Sequence, residues 1–364
     1  MHIFRALFFY GIACTNFYLS ADTVRAAIDF GSGAVKIQMA EVNTKENRVA
    51  GESLLGKFVP LGLTEDVTTH NGFISDEMIQ KSIIILKELK EEAINKAAHN
   101  GYNEIQLTGI ATAVFRKARN GYELLRMFEQ KLGIRFQILS QEEEGKLGFL
   151  TAKILYPDIP EELLLAWDSG NGSFQMSTNE KKNNYQIYMG PLGFGTVRVI
   201  LSKEIRQGPI LQPHETGNPV LREEAVKLDQ KIKELLPPIP DWLQEKLNSK
   251  SIVATFGDSE STFAIVAQAI AYLDGPKKPA QQAFVSFSDV QRVIKAFIGQ
   301  EDDFFTAAGL HCETLTSAIH LSAIMEYFGI QEIHYRWSIG NTPGMLIAPK
   351  LWEEGVSFSS SQPQ

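Results

Sequence analysis

Apolar and polar positions along the chain fall into a repeating order of short strands and longer helices. The apolar run Ala26-Ala27-Ile28 ends on Asp29, Gly31-Ser32-Gly33 follows, and Val35 to Val42 then alternates with period two. That pattern predicts a strand, a tight turn and a second strand. The same order returns far downstream. Leu163 to Trp167 end on Asp168, Gly170-Asn171-Gly172-Ser173 makes the turn, and Phe174 opens another alternating run. One such turn is unremarkable in a sheet protein, but a matched pair predicts a duplicated α/β unit with one ligand held between the halves.

Between the turns, a strand is expected over Arg48 to Leu55, and Thr68 to Gly72 reads as a polar loop in which His70 is a lone surface histidine. Ser75 caps a helix with Asp76 and Glu77 in its first turn, which runs to Asn100-Gly101. Glu104 to Ile110 is a buried strand. Ala111 to Asn120 carries Arg116, Lys117 and Arg119 ahead of an Asn-capped helix, Gly121 to Leu132. That stretch suits either an anion site at a helix N-terminus or a solvated basic loop. Ser140 opens the next helix with Glu142, Glu143 and Glu144. Acids in a first turn favour the macrodipole, and one of three aimed into a cleft would supply the base that water activation needs.

Tyr156 to Glu162, with Pro157 and Pro160, reads as a linker. Pro191 to Thr196 leads into a helix carrying Arg198, and Gly257 to Ser261 turns a strand into the helix Thr262 to Leu273. Asn341 to Trp352 reads as turns and Ser359 to Gln364 as a disordered tail. The chain divides into a signal-like segment 1–21, a first unit 22–145, a second unit 146–352 and a tail 353–364.

Composition narrows the function. In 364 residues, 44% hydrophobic and 21% charged content is that of an ordinary globular chain. A net charge of −8 argues against general nucleic-acid binding, so a polyanion must meet a local basic pocket. Cys14 and Cys312 offer neither a disulfide framework nor a metal spacing. No stretch after the N-terminal segment has the length and apolarity of a membrane span. Arg5, the run Ala6 to Cys14 and small residues before Asp22 resemble a secretory signal, which implies export. A frayed extension or a misplaced start codon implies a cytoplasmic protein.

A carboxylate at a strand end beside a glycine turn can hold Mg²⁺ directly or through water, and glycines let backbone N–H groups approach phosphate oxygens. Two such turns across a cleft, a nearby arginine and one base suit phosphoryl transfer to water.

These blocks resemble the exopolyphosphatase/guanosine-pentaphosphate phosphatase (Ppx/GppA) family of the actin–hexokinase–Hsp70 superfamily. The resemblance runs from Ala26 to about Ile347 and is carried by Asp29 to Ala34, Ala111 to Arg116, Ser140 to Lys146, Asp168 to Ser173 and Pro191 to Arg198. It implies two RNase H-like domains with mixed five-stranded sheets, flanking helices and a cleft between them. It also implies release of terminal phosphate from polyphosphate or a phosphorylated guanosine nucleotide with Mg²⁺. By motif position Glu144 would be the base and Arg116 would neutralise charge. Gly31, Ser32, Gly33, Gly170, Asn171, Gly172 and Ser173 would cradle phosphate, while Asp29, Asp168 and Gln175 would face the metal. A homodimer and a binding protein without turnover are both compatible with the resemblance. The chain departs from the family pattern at Gly33-Ala34, Lys36, Lys146, Asn171, Gln175 and Glu260. Gln175 stands where a carboxylate is usual, and Lys36 and Lys146 where arginines give bidentate phosphate contacts.

Overall fold

The computed structural model describes residues 22–181, 184–211, 215–275, 282–353 and 356–359. The signal-like segment 1–21, with Cys14, and residues 360–364 of the expected tail lie outside the described residues.

The first sheet is built from β1 (Asp22–Phe30), β2 (Ala34–Asn43), β3 (Arg48–Val49), β4 (Leu55–Pro60), β5 (Glu104–Ala111) and β6 (Phe136–Ile138). The second holds β7 (Leu164–Ser169), β8 (Phe174–Lys181), β9 (Asn184–Gly190), β10 (Ile252–Gly257), β11 (Gln282–Ser286) and β12 (Glu332–Trp337). Their centres have one plan. β1 pairs antiparallel with β2 and parallel with β5, and β7 pairs antiparallel with β8 and parallel with β10. The last strand, β13 (Val356–Ser359), returns to the first sheet antiparallel to β5. The expected tail is therefore partly a strand, and the sheets carry seven and six strands among the described residues.

Local signals explain where several helices start. Ser75 accepts from the Met78 N–H and starts the helix Asp76–His99. Ser140 and Glu143 form a reciprocal capping box at the helix Gln141–Leu155. Asn120 behaves otherwise. Its side chain is spent on the Ile74 backbone, so it gives the helix Gly121–Leu132 no side-chain cap. The expected Arg48 to Leu55 strand splits into β3 and β4.

Two helices tie the sheets together. Gln141–Leu155 lies on β7, β8 and β9, while Thr342–Ile347, every residue of it buried, lies on β1 and β2. They meet at Gly344, whose N–H donates to Thr151 Oγ1, and a Cβ there would come within 2.6 Å of the Leu147 carbonyl oxygen. Thr342–Ile347 and β13 thus lie against the first sheet, although they follow the second in sequence.

Close packing also shapes the hairpins. Phe174 and Gly190 are register partners across β8 and β9, and a Cβ on Gly190 would sit 2.0 Å from the Phe174 ring. Gly190→Ala should therefore overpack the sheet beside the second glycine turn. The expected loss is about 1–3 kcal/mol or more, read from denaturant unfolding; unchanged stability would show that the ring moves freely.

Candidate active site in the cleft between the sheets

The two glycine turns have matching geometry. Gly31 N–H donates to the Ala34 carbonyl at 2.9 Å, and Gly170 N–H to the Ser173 carbonyl at 3.0 Å. They face each other tip to tip. A Cβ on Gly33 would lie 3.2 Å from Asn171 Cβ, and one on Gly172 would lie 3.3 Å from Ser32 Oγ. Asn171 also donates from Nδ2 to Thr64 Oγ1 at 3.0 Å, crossing between the lobes. Gly193 folds onto the second turn so closely that a Cβ would strike its backbone at 2.4 Å. Ser32 Oγ accepts from Val114 N–H and Ser173 Oγ from Gln175 Nε2, which leaves each hydroxyl a proton to donate.

The three consecutive glutamates separate by helical geometry. Glu142 pairs with Lys146 at the surface, and Glu143 completes the capping box. Glu144 is buried and faces the cleft. Arg116 Nη2 lies 2.7 Å from its carboxylate, while Arg116 Nη1 donates to the Leu139 carbonyl at 2.6 Å. Burial pushes Glu144 up to about 8, against the pull of Arg116 and with help from Asp168 and Asp29. Arg116 and Lys117 fall in the last turn of the short helix Ala113–Lys117, and Arg119 lies over the Phe73 ring. The basic stretch is therefore not gathered at a helix N-terminus.

The cleft holds about 300 Å³ and is lined by both turns together with Asp29, Asp168, Glu144 and Gln175. Hairpin register sets its floor, with Asp29 opposite Lys36 and Asp168 opposite Gln175. Lys36 Nζ reaches across to Asp258 Oδ2 at 3.2 Å. Asn341 donates its backbone N–H to the Asp29 carboxylate and its Nδ2 to Asp168 Oδ2 at 2.6 Å. Burial raises Asp29, with Lys36 and Asn341 opposing, and pushes Asp168 up to about 6.

A second polar cluster forms the far wall. Arg198 bridges Glu65 of the first lobe at 3.2 Å and Glu313 of the second at 3.1 Å. His311 Nε2 lies 3.0 Å from Glu260 Oε2. Burial raises Glu313, with Arg198 the chief opposing charge. The sequence pattern singled out Arg198 and Glu260 here but not Glu65, His311 or Glu313, nor Asn341 and Asp258 on the floor. Glu65 sits in the short helix Leu63–Thr69 and Asn341 just precedes the short helix Thr342–Ile347, so no periodic signal marked them.

Residues 57–335 match the Ppx/GppA phosphatase family. The chain belongs to that family. Similar solved structures include the Aquifex aeolicus Ppx/GppA family member, at 18% identity over 92% of this chain and 99% of that one, with a TM-score of 0.64. An exopolyphosphatase from Cytophaga hutchinsonii aligns at 16% identity over 89% and 98%, TM-score 0.65. A nucleoside triphosphate hydrolase from Neospora caninum aligns at 10% identity over 91% and 93%, TM-score 0.51. At such identities the likeness is one of fold, two mixed sheets of the actin/Hsp70 type. Among the described residues no helix is long and apolar enough to cross a membrane.

Ppx/GppA proteins are typically metal-dependent. The donors here are a poor match for a divalent ion. Gln175 offers a neutral amide whose nitrogen points to Ser173, and the Lys36 ammonium shares the floor with Asp29 and Asp168. Among the described residues no three His, Cys, Asp or Glu side chains are grouped to hold a metal.

Asp168 carries a pH signature. Its folded value lies above the ordinary 3.8, so the stability it contributes is present at acid pH and is lost as pH rises through about 6. Asp168→Asn should gain melting temperature over the natural protein across that window and hold the gain above it. A pH-independent difference in melting temperature would show that burial does not perturb Asp168.

Proposed function

We propose that the protein is a Ppx/GppA-type phosphohydrolase that releases terminal phosphate from polyphosphate or a phosphorylated guanosine nucleotide. The observation that carries this reading is the meeting of Glu144 with two matched Asp-glycine turns in one cleft. In the proposed step Glu144 accepts a proton from water as the water oxygen attacks the terminal phosphorus. The bridging P–O bond breaks, and the shortened phosphate chain leaves with the bond's electron pair. Ser32 and Ser173 hydroxyls and the turn backbones hold the phosphoryl oxygens, and positioning supplies most of the rate. Arg116, which does not itself line the cleft, orients Glu144 and draws it toward the ionised form. Mg²⁺ is the metal the family suggests, with Asp29, Asp168 and Gln175 as its expected ligands. The donor set does not fit that ion, and the groups named above account for the step.

A second reading, phospho-ligand binding without turnover, is favoured by Gln175 and Asn171. One removes a charge beside Asp168, and the other fills the space between the turns. Gain of phosphate release in Gln175→Glu would mark an impaired enzyme rather than a repurposed fold.

Glu144→Gln should lower phosphate release from polyphosphate or guanosine pentaphosphate by about 10²–10⁴-fold while the protein stays folded. Phosphate release at the natural rate by that variant would remove Glu144 from the reaction. A base held near 8 must be deprotonated to act, so the rate should climb with pH through about 8. Arg116→Gln should push that limb higher; a limb that stays in place or moves lower would separate Arg116 from the base.

A further inference from the structure

We propose that Lys36 is the resident cation of this cleft, its ammonium lying between Asp29 of one lobe and Asp258 of the other and keeping a divalent ion out. The first support is register. Directly opposed residues in an antiparallel pair put their side chains on the same face, so Lys36 is committed to the Asp29 face by β1–β2 pairing alone. The equivalent position in the second hairpin is Gln175, so one cation serves both hairpins.

The second support is the niche around it. Lys36 Nζ contacts Asp258 Oδ2 of the opposite lobe at 3.2 Å, and Asp258 is 5% exposed. A Cβ at position 340 would meet Lys36 Nζ at 2.9 Å and Asp29 Oδ2 at 3.1 Å, and Gly340 has φ +56, so backbone conformation and space both call for glycine. The lysine tip and the Asp29 carboxylate therefore pack over the same glycine.

The third support is charge. Among the described residues, seven carboxylates and two permanent cations, Lys36 and Arg198, line the cleft. Arg198 is occupied at the far wall by Glu65 and Glu313. Lys36 is thus the cation that lies beside the two aspartates at the glycine turns. A metal ion entering there would have to displace a half-buried ammonium or accept its repulsion.

The inference concerns metal binding alone and is measured without any phosphate ester, so it can fail while phosphate release stands, and the reverse. Mn²⁺ is titrated into the full-length protein and followed by electron paramagnetic resonance, with Mg²⁺-dependent melting shifts alongside. The natural protein should show no saturable micromolar site. Lys36→Gln and the near-isosteric Lys36→Met should each gain one, at least about tenfold tighter than any residual binding by the natural protein. Circular dichroism establishes that the variants are folded. If Lys36 is only a salt bridge between lobes, affinity will be unchanged by its removal, and the proposal falls. A micromolar Mn²⁺ site in the natural protein would overturn it without any variant.

Discussion

An antiparallel hairpin fixes which residues stand opposite each other, and in this molecule that constraint builds the cleft floor twice. In the first lobe it sets Lys36 against Asp29, and in the second Gln175 against Asp168. Each aspartate ends a buried strand that runs beside a parallel neighbour, β5 or β10, so neither can slip without turning its apolar face to solvent. Because the two turns meet tip to tip, the aspartates are buried together. Their raised proton affinities follow from that burial.

The lobes are held in this relation by charged and polar contacts across the cleft rather than by the turns alone. Asn171 reaches Thr64, Arg198 reaches Glu65 and Lys36 reaches Asp258. A buried ion pair is costly to break and need not add net stability, so its main effect is to define one geometry. The same contacts leave the cleft rich in carboxylate. Among the described residues, a polyanion would meet the serine hydroxyls, the turn backbones and Lys36, while Arg198 is held by Glu65 and Glu313.

Much of this was legible in the chain. Period-two alternation on either side of Asp29 and Asp168 located both hairpins, and Ser75 and Ser140 marked helix starts that the structure repeats. The glutamate triplet was legible as a capping segment, but which acid faces inward depends on helical phase: Glu143 is needed by Ser140, and Glu144 then points into the cleft. What escaped was non-periodic or distant. Thr342–Ile347 is buried on all sides, so it has no polar face to announce a helix. Asn341 and Asp258 reach the floor only when the second lobe closes over the first. The basic stretch misled because Arg116 turns to Glu144 instead of to the cleft.

The central claim is that Asp29, Asp168 and Glu144 surround a single phosphoryl site between facing turns. The most direct measurement is a crystal structure of Glu144→Gln soaked with imidodiphosphate, whose P–N–P bridge resists hydrolysis. The account predicts a terminal phosphorus between the Gly31–Ala34 and Gly170–Ser173 turns, with Ser32 and Ser173 donating to its oxygens and the side chain at position 144 beside it. Imidodiphosphate bound elsewhere, or turns parted so that only one of them touches it, would contradict the account.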